Sequence, residues 1–295
     1  MSTITKTIAV LAACSAVFIT VVTSPAPLAP RAEALPRIKV MATGGTIAGA
    51  ASGPSAIGYT SGEVSAAQLV GAVPGIDKLA RISVEQVANI GSQDMNDEVW
   101  FKLARRIDDV FANSEADAVV ITHGTDTMEE TAFFLENVVK SDKPVVVVGS
   151  MRPSTAVSAD GPANLYEAVK VAGSKEAQGR GALVVMNDTI FETRGLTKTN
   201  TSSLQTFQAP NSGPVGHVDA AAVQFIEPVT AYPRPRFKLP AAAPLPRVGI
   251  VYAHSNMTAD DVNAILATKP QGIVLAGVGD GNTSKPALDA LHEAA

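Results

Sequence analysis

Threonines, serines and a single lysine recur in the short polar loops that follow apolar runs, and they frame the chemistry open to this chain. The loops are Thr43-Gly44-Gly45-Thr46-Ile47-Ala48-Gly49, Gly91-Ser92-Gln93-Asp94-Met95, Thr122-His123-Gly124-Thr125-Asp126-Thr127-Met128-Glu129-Glu130, Asn187-Asp188-Thr189 and Thr197-Lys198-Thr199-Asn200. Cys14 is the only cysteine, and no serine lies in a Gly-x-Ser-x-Gly elbow. A nucleophile therefore has to be a threonine or a serine outside that turn. A threonine hydroxyl attacks only when a neighbour takes its proton. Lys198, oriented by Asp126, is one candidate base, and Tyr59 beside Thr46 is a second. Taken singly, Tyr59 reads as a packing residue, Lys198 as a solvated lysine and His123 as a structural histidine before a glycine. The paired Gly44 and Gly45 permit a tight turn and close backbone approach to a ligand. They do not form Gly-x-Gly-x-x-Gly, and no Walker A sequence occurs, so nucleotide binding is a minority reading.

The elements that must carry these loops are legible as alternating patterns. Apolar runs predict strands over Ile38–Ala42, Ile82–Asn89, Ala118–Thr122, Pro144–Gly149, Ala182–Met186, Val248–Tyr252 and Gly272–Ala276. Amphipathic segments predict helices over Asn96–Ala112, Asp126–Val139, Ala163–Ala172, Ala259–Ala267 and from Lys285 onward. In the first of these, Trp100, Leu103, Ile107 and Val110 or Phe111 share a face, opposite Lys102, Arg105, Arg106 and Asp109. Repeated strand-helix order implies an α/β fold with a mostly parallel sheet, which places ligands outside the carboxyl ends of the strands. Residues 232–246 are rich in Pro and Ala and read as a linker. It separates a larger domain, 35–231, from a smaller C-terminal α/β domain, 247–295.

Composition removes other classes. The 295 residues are 46% hydrophobic and 17% charged, which suits a globular chain with a substantial core. A net charge of −5 and the lack of a basic stripe leave no footprint for nucleic acid. One cysteine and four scattered histidines offer no Cys-rich or His-x-x-x-His metal site. Residues 1–34 read as a signal peptide: Lys6, an apolar run from Thr7 to Val22, and a small-residue cleavage site at Ala32-Glu33-Ala34. The run is shorter than the about 20 apolar residues of a membrane span. A periplasmic or secreted protein is expected, with lipid anchoring at Cys14 of the Leu11-Ala12-Ala13-Cys14 motif as the minor alternative.

Several of these segments together resemble the bacterial type II L-asparaginases. The resemblance rests on Ala42–Gly49, Gly91–Met95, the run from Ile121 to Thr131, Pro144–Ser154, Ser158–Pro162, and Val185–Asp188 with Thr197–Thr201. It extends from about Leu35 to the last residue, and several long motifs in the same order make it specific. It implies hydrolysis of the L-asparagine side-chain amide to L-aspartate and ammonia, with no metal or organic cofactor. By position, Thr46 matches the family's nucleophilic threonine, with Tyr59 in a lid segment beside it. Thr125, Asp126 and Lys198 match a second catalytic set. Ser92 and Asp126 align with groups holding the substrate α-carboxylate and α-amine, and Gln93, Ser150 and Asp280 with further substrate contacts. The implied assembly is a homotetramer with active sites at subunit interfaces and no nucleic-acid or membrane partner.

Two departures stand out. Asp280 replaces a common asparagine in the Gly277-Val278-Gly279-Asp280-Gly281-Asn282 loop, where it bears on the choice between asparagine and glutamine. The family pattern also continues through further strands and helices after Ala295, so the smaller domain reads as incomplete. A dual glutaminase-asparaginase is the alternative within the class, because one methylene is distinguished by only about 1 to 3 kcal/mol. An exported amino-acid-binding protein without catalysis is the alternative outside it, and the gathering of Thr46, Thr125, Asp126 and Lys198 in loops counts against it.

Overall fold

The computed structural model describes residues 34–51, 59–60, 63–226, 228–229, 236–241 and 244–295. The expected signal peptide up to residue 33, Cys14 included, and residues 52–58 of the expected lid lie outside the described residues.

Strands form where β-branched residues cluster, and helices where the apolar period lengthens. In chain order, β1 is Arg37–Gly44, β2 Ala50–Ala51, β3 Tyr59–Thr60, α1 Ala66–Gly71 and β4 Arg81–Ile90. Then come α2 Asp97–Ala112, β5 Ala118–Thr122, α3 Met128–Val138, β6 Val145–Val148, α4 Gly161–Ala172 and β7 Ala182–Met186. Short strands follow: β8 Thr189–Glu192, β9 Thr197–Lys198, β10 Phe207–Gln208, β11 Gly216–Val218 and β12 Val223–Phe225. The C-terminal part comprises β13 Val248–Tyr252, α5 Ala259–Leu266, β14 Gly272–Ala276 and α6 Lys285–Ala294.

The main sheet has eight strands in the order β12-β11-β8-β7-β6-β5-β1-β4. From β4 to β7 every pairing is parallel. The interior strands β5, β6 and β7 are buried along their whole length and read as unbroken apolar runs, and all four residues of β6 are valines with no exposure beyond 2%. Successive side chains alternate between two cores. Val119, Ile121, Val145 and Val147 pack against Leu103 and Ile107 of α2 and Leu135 of α3. Val120, Val146 and Val148 pack against Leu69 of α1 and Leu165 and Val169 of α4. The result is a helix-sheet-helix sandwich, the mostly parallel α/β class expected. The smaller domain pairs β13 with β14 in parallel and covers one face with α5 and α6 around Val251, Val262 and Ala287.

Beyond β7 the sheet gains three antiparallel strands that the sequence pattern does not announce, since each is only three or four residues long. The Asn187-Asp188 pair, expected as an open polar loop, is instead the two-residue turn between β7 and β8. Both residues are left-handed (φ 51° and 62°), which Asn and Asp tolerate better than other side chains and which matches hairpin twist.

The strand order fixes the site. β1 has β4 on one side and β5 on the other, so the chain leaves β1 for one flank and later returns to the opposite one. That reversal opens a crevice at the carboxyl ends of β1 and β5, where doubly wound sheets bind ligands.

Candidate active site

Two glycine-bearing loops meet at this crevice. After β1, Gly44 and Gly45 hold left-handed φ values of 110° and 80°, and the Gly45 amide donates to the Ile90 carbonyl at 3.0 Å. A Cβ on Gly45 would lie 2.2 Å from the Gly124 nitrogen. The backbone carrying Thr46 therefore lies directly against the backbone carrying Thr125, and only glycine permits that approach. Thr46 itself is buried and opens a single 3-10 turn, Thr46–Ala48. Behind it, the Thr43 hydroxyl donates to the Thr122 carbonyl at 3.0 Å, tying the ends of β1 and β5 together.

The loop after β4 joins the same group. Buried Ser92 accepts the Asp126 backbone N–H on its hydroxyl at 3.1 Å, and its carbonyl accepts the Thr127 hydroxyl at 2.7 Å. That contact explains where α3 begins. The expected start at Asp126 moves to Met128, because Asp126 and Thr127 form the turn that docks on Ser92 and Thr127 serves as the N-cap. Gln93, by contrast, is exposed, and its amide donates to the Asp94 carboxylate at 3.4 Å.

Lys198 arrives from β9. Its ammonium donates to the Thr125 hydroxyl at 2.9 Å and to the Asp126 carboxylate at 2.7 Å. The lysine side chain is 18% exposed while that of Asp126 is 58% exposed, so the cation sits inside the crevice and its counterion at the rim. Such a half-open pair is worth little for stability. Its value is positional, since it holds an amine against a hydroxyl. The approach of β9 is fixed by Glu129, in the first turn of α3. One carboxylate oxygen accepts the Thr197 hydroxyl at 3.0 Å and the other the Lys198 backbone N–H at 2.5 Å. The sequence offered Glu129 only as part of a run, and a glutamate near a helix start reads first as a partner of the helix dipole.

His123 behaves as a structural residue. It is fully buried, and desolvation lowers its pKa to about 4, leaving a neutral ring. Its Nδ1 lies 2.7 Å from the Gly124 carbonyl and so carries the proton. Its Nε2 is then an acceptor for the Thr131 hydroxyl at 2.9 Å, whose oxygen takes the Trp100 indole N–H at 2.8 Å. This relay pins the peptide immediately before Thr125.

The remaining expected residues fall differently. Ser150 is fully buried, and its hydroxyl donates to the Arg152 carbonyl at 2.7 Å, closing its own turn. Asp280 is exposed in the turn closed by Val278 and Asn282, and among the described residues no hydrogen bond joins it to the Thr125 group. The backbone of Tyr59 pairs with Ala51, soon after Thr46, while its side chain lies outside the described residues. The Asn187 and Asp188 amides are held by α4, through the Asn164 amide oxygen at 3.1 Å and the Glu167 carboxylate at 3.2 Å. That turn is therefore fastened to the helix layer.

Another cleft lies along α2, yet its cations are already engaged: Lys102 with the Val87 carbonyl, Arg105 with the Pro240 and Ala241 carbonyls, and Arg106 with Glu85 and Glu115.

Comparison with known proteins identifies relatives along most of the chain. The model for "Asparaginase, N-terminal" matches residues 37–231, and that for "Glutaminase/Asparaginase C-terminal domain" matches residues 247–295. The "Probable L-asparaginase periplasmic" of Haemophilus influenzae is 48% identical over 263 residues, 88% of this chain and 75% of the relative. "L-asparaginase 2" of Escherichia coli is 48% identical over 266 residues, 90% of this chain and 76% of the relative. A crystal structure of the probable cytoplasmic L-asparaginase from Campylobacter jejuni superposes with a TM-score of 0.83 at 45% identity, covering 88% of this chain and 80% of that one.

Proposed function

This chain belongs to the asparaginase family, and from that premise we propose that Thr46 is the nucleophile of an amidohydrolase whose second threonine, Thr125, works with Lys198 and Asp126. The reaction is hydrolysis of the side-chain amide of L-asparagine to L-aspartate and ammonia. The Thr46 oxygen adds to the amide carbon, its proton passes by way of a base to the departing nitrogen, and ammonia leaves. Water then cleaves the resulting ester, releasing the aspartate carboxylate and restoring the hydroxyl.

The observation that carries this reading is the Lys198 contact with Thr125 and Asp126 at the crevice. A charged lysine there stabilises negative charge growing on the threonine oxygen, and a neutral one accepts its proton. Asp126 offers a negative partner for the substrate ammonium, Ser92 and Gln93 offer donors for its carboxylate, and Tyr59 assists beside Thr46. Ser150 and Asp280 add further substrate contacts, the latter from the smaller domain. The working form is a homotetramer exported to the periplasm or the medium after cleavage at Ala34. Residues 35–231 and 247–295 act as its two domains, joined by 232–246.

The test is ammonia release from asparagine and from glutamine, measured separately, for the wild type and for Lys198→Met. Turnover of asparagine that falls at least about a hundredfold in the variant supports the assignment. Asparagine binding without ammonia release would favour an amino-acid-binding protein, and unimpaired turnover in Lys198→Met would remove the lysine from the mechanism.

A further inference from the structure

The Lys198 ammonium has to reach two groups at once, the Thr125 hydroxyl and the Asp126 carboxylate, from a strand only two residues long. Its partner β10 is equally short, and the pair forms a separate two-stranded sheet outside the main one. Four residues of ladder are weak anchorage for a side chain that must be held to a few tenths of an ångström. A second anchor is needed, and Glu129 supplies it. Its carboxylate grips the strand at adjacent positions, the Thr197 hydroxyl at 3.0 Å and the Lys198 backbone N–H at 2.5 Å.

The grip is rigid because both ends share one element. Glu129 lies on α3, three residues beyond Asp126 and four beyond Thr125. The helix that grips the backbone of Lys198 thus continues directly from the turn that meets its ammonium. Met128, next to Glu129, is fully buried against the core, so this end of α3 is fixed.

We propose that Glu129 is a positioning residue for amide hydrolysis: it sets the reach of Lys198 to Thr125 by clamping β9 onto the first turn of α3. It touches neither substrate nor reacting atoms. The inference rests on the catalytic role given above to Lys198. The clamp needs two acceptor contacts more than it needs a charge. Glutamine in place of Glu129 keeps an oxygen for the Lys198 N–H, and its amide nitrogen can donate to the Thr197 oxygen, since a hydroxyl works in either sense. Alanine keeps neither contact.

The experiment measures kcat and KM for asparagine in Glu129→Ala, Glu129→Gln and Thr197→Val, each alone and combined with Lys198→Met. Expected is a fall in kcat of about 10- to 100-fold for Glu129→Ala with KM changed less than about threefold, recovery to within about threefold of wild type in Glu129→Gln, and an intermediate loss in Thr197→Val. In the Lys198→Met background neither Glu129→Ala nor Thr197→Val should cost further activity, because the lysine they position is gone. Additive losses in that background, or a Glu129→Gln variant as damaged as Glu129→Ala, overturn the proposal. Should Glu129→Ala fail to fold, Thr197→Val and its double variant decide alone. Lys198→Met with normal turnover defeats the underlying catalytic reading, whereas an inactive Lys198→Met beside a fully active Glu129→Ala defeats only the clamp.

Discussion

Stability between pH 6.5 and 8 should be governed by one buried carboxyl group. Glu167 on α4 is 7% exposed, and it accepts the Asp188 backbone N–H at 3.2 Å. Burial, then the hydrogen bond and charge of the Asp188 carboxylate, with Asp219 adding to them, raise its pKa from 4.5 to about 8. The folded value lies above the unfolded one, so the native state holds a proton that the unfolded chain has released. This stabilisation is complete below pH 4.5 and is lost as pH rises through 8. His123 works in the opposite sense: burial lowers its pKa from 6.5 to about 4, so its contribution is present above 6.5 and lost on acidification. Each pH unit of one proton's linkage is worth about 1.4 kcal/mol. From pH 4.5 to 6.5 the two slopes cancel, and above 6.5 only Glu167 remains. The wild type should therefore be level over the lower window and lose about 1 to 2 kcal/mol from pH 6.5 to 8.5, the lower figure allowing for solvent screening of exposed Asp188. Glu167→Gln keeps an oxygen for the Asp188 N–H and offers an N–H to the Asp188 carboxylate, so it should flatten the profile above pH 6.5 and unmask a fall of up to about 2 kcal/mol toward pH 5. Urea unfolding at fixed protein concentration at pH 5, 6.5, 8 and 8.5 measures both limbs. Identical slopes above pH 6.5 in wild type and variant would refute the reasoning.

Four other substitutions probe the site. Gly45→Ala places a methyl group 2.2 Å from the Gly124 nitrogen at a φ of 80°, so it should cost at least about 2 kcal/mol and most of the activity, and a wild-type urea midpoint would show that the loops are not in contact. Thr131→Val removes the hydroxyl between Trp100 and His123; a loss of about 2 kcal/mol is expected from the stranded polar groups, and an unchanged midpoint would count against the relay. Thr46→Ala and Thr125→Ala should each lower turnover by at least about two orders of magnitude in the ammonia assay, and whichever variant keeps near-normal turnover does not belong to the mechanism.

The elements that build the parallel sheet were legible because burial on both faces leaves an unmistakable apolar run. Ala118–Thr122 and Ala182–Met186 were read to the residue, and so were Val248–Tyr252 and Gly272–Ala276 of the separate two-stranded sheet, whose apolar runs show although several of their side chains stay exposed. Helix starts were less legible where a tertiary contact overrides local preference. The Asp126-Thr127 turn is drawn to Ser92, and Gly161-Pro162, which resembles a breaker, opens α4 because proline is tolerated in a first helical turn. The short antiparallel strands at the far edge carry too few residues for a period to show.

Residue types alone left a threonine, or a serine outside the Gly-x-Ser-x-Gly turn, as the candidate nucleophile, named Lys198 and Tyr59 as the bases to consider, and read the paired Gly44 and Gly45 as a tight turn before Thr46. Which loops face one another was decided only in three dimensions. The crevice between β1 and β5 exists because the chain reverses direction across the sheet, and strand order is a global property that no local pattern encodes. For the same reason Glu129 was invisible as the anchor of Lys198: the two are 69 residues apart, and only the packing of β9 against the start of α3 brings that carboxylate to the lysine's backbone.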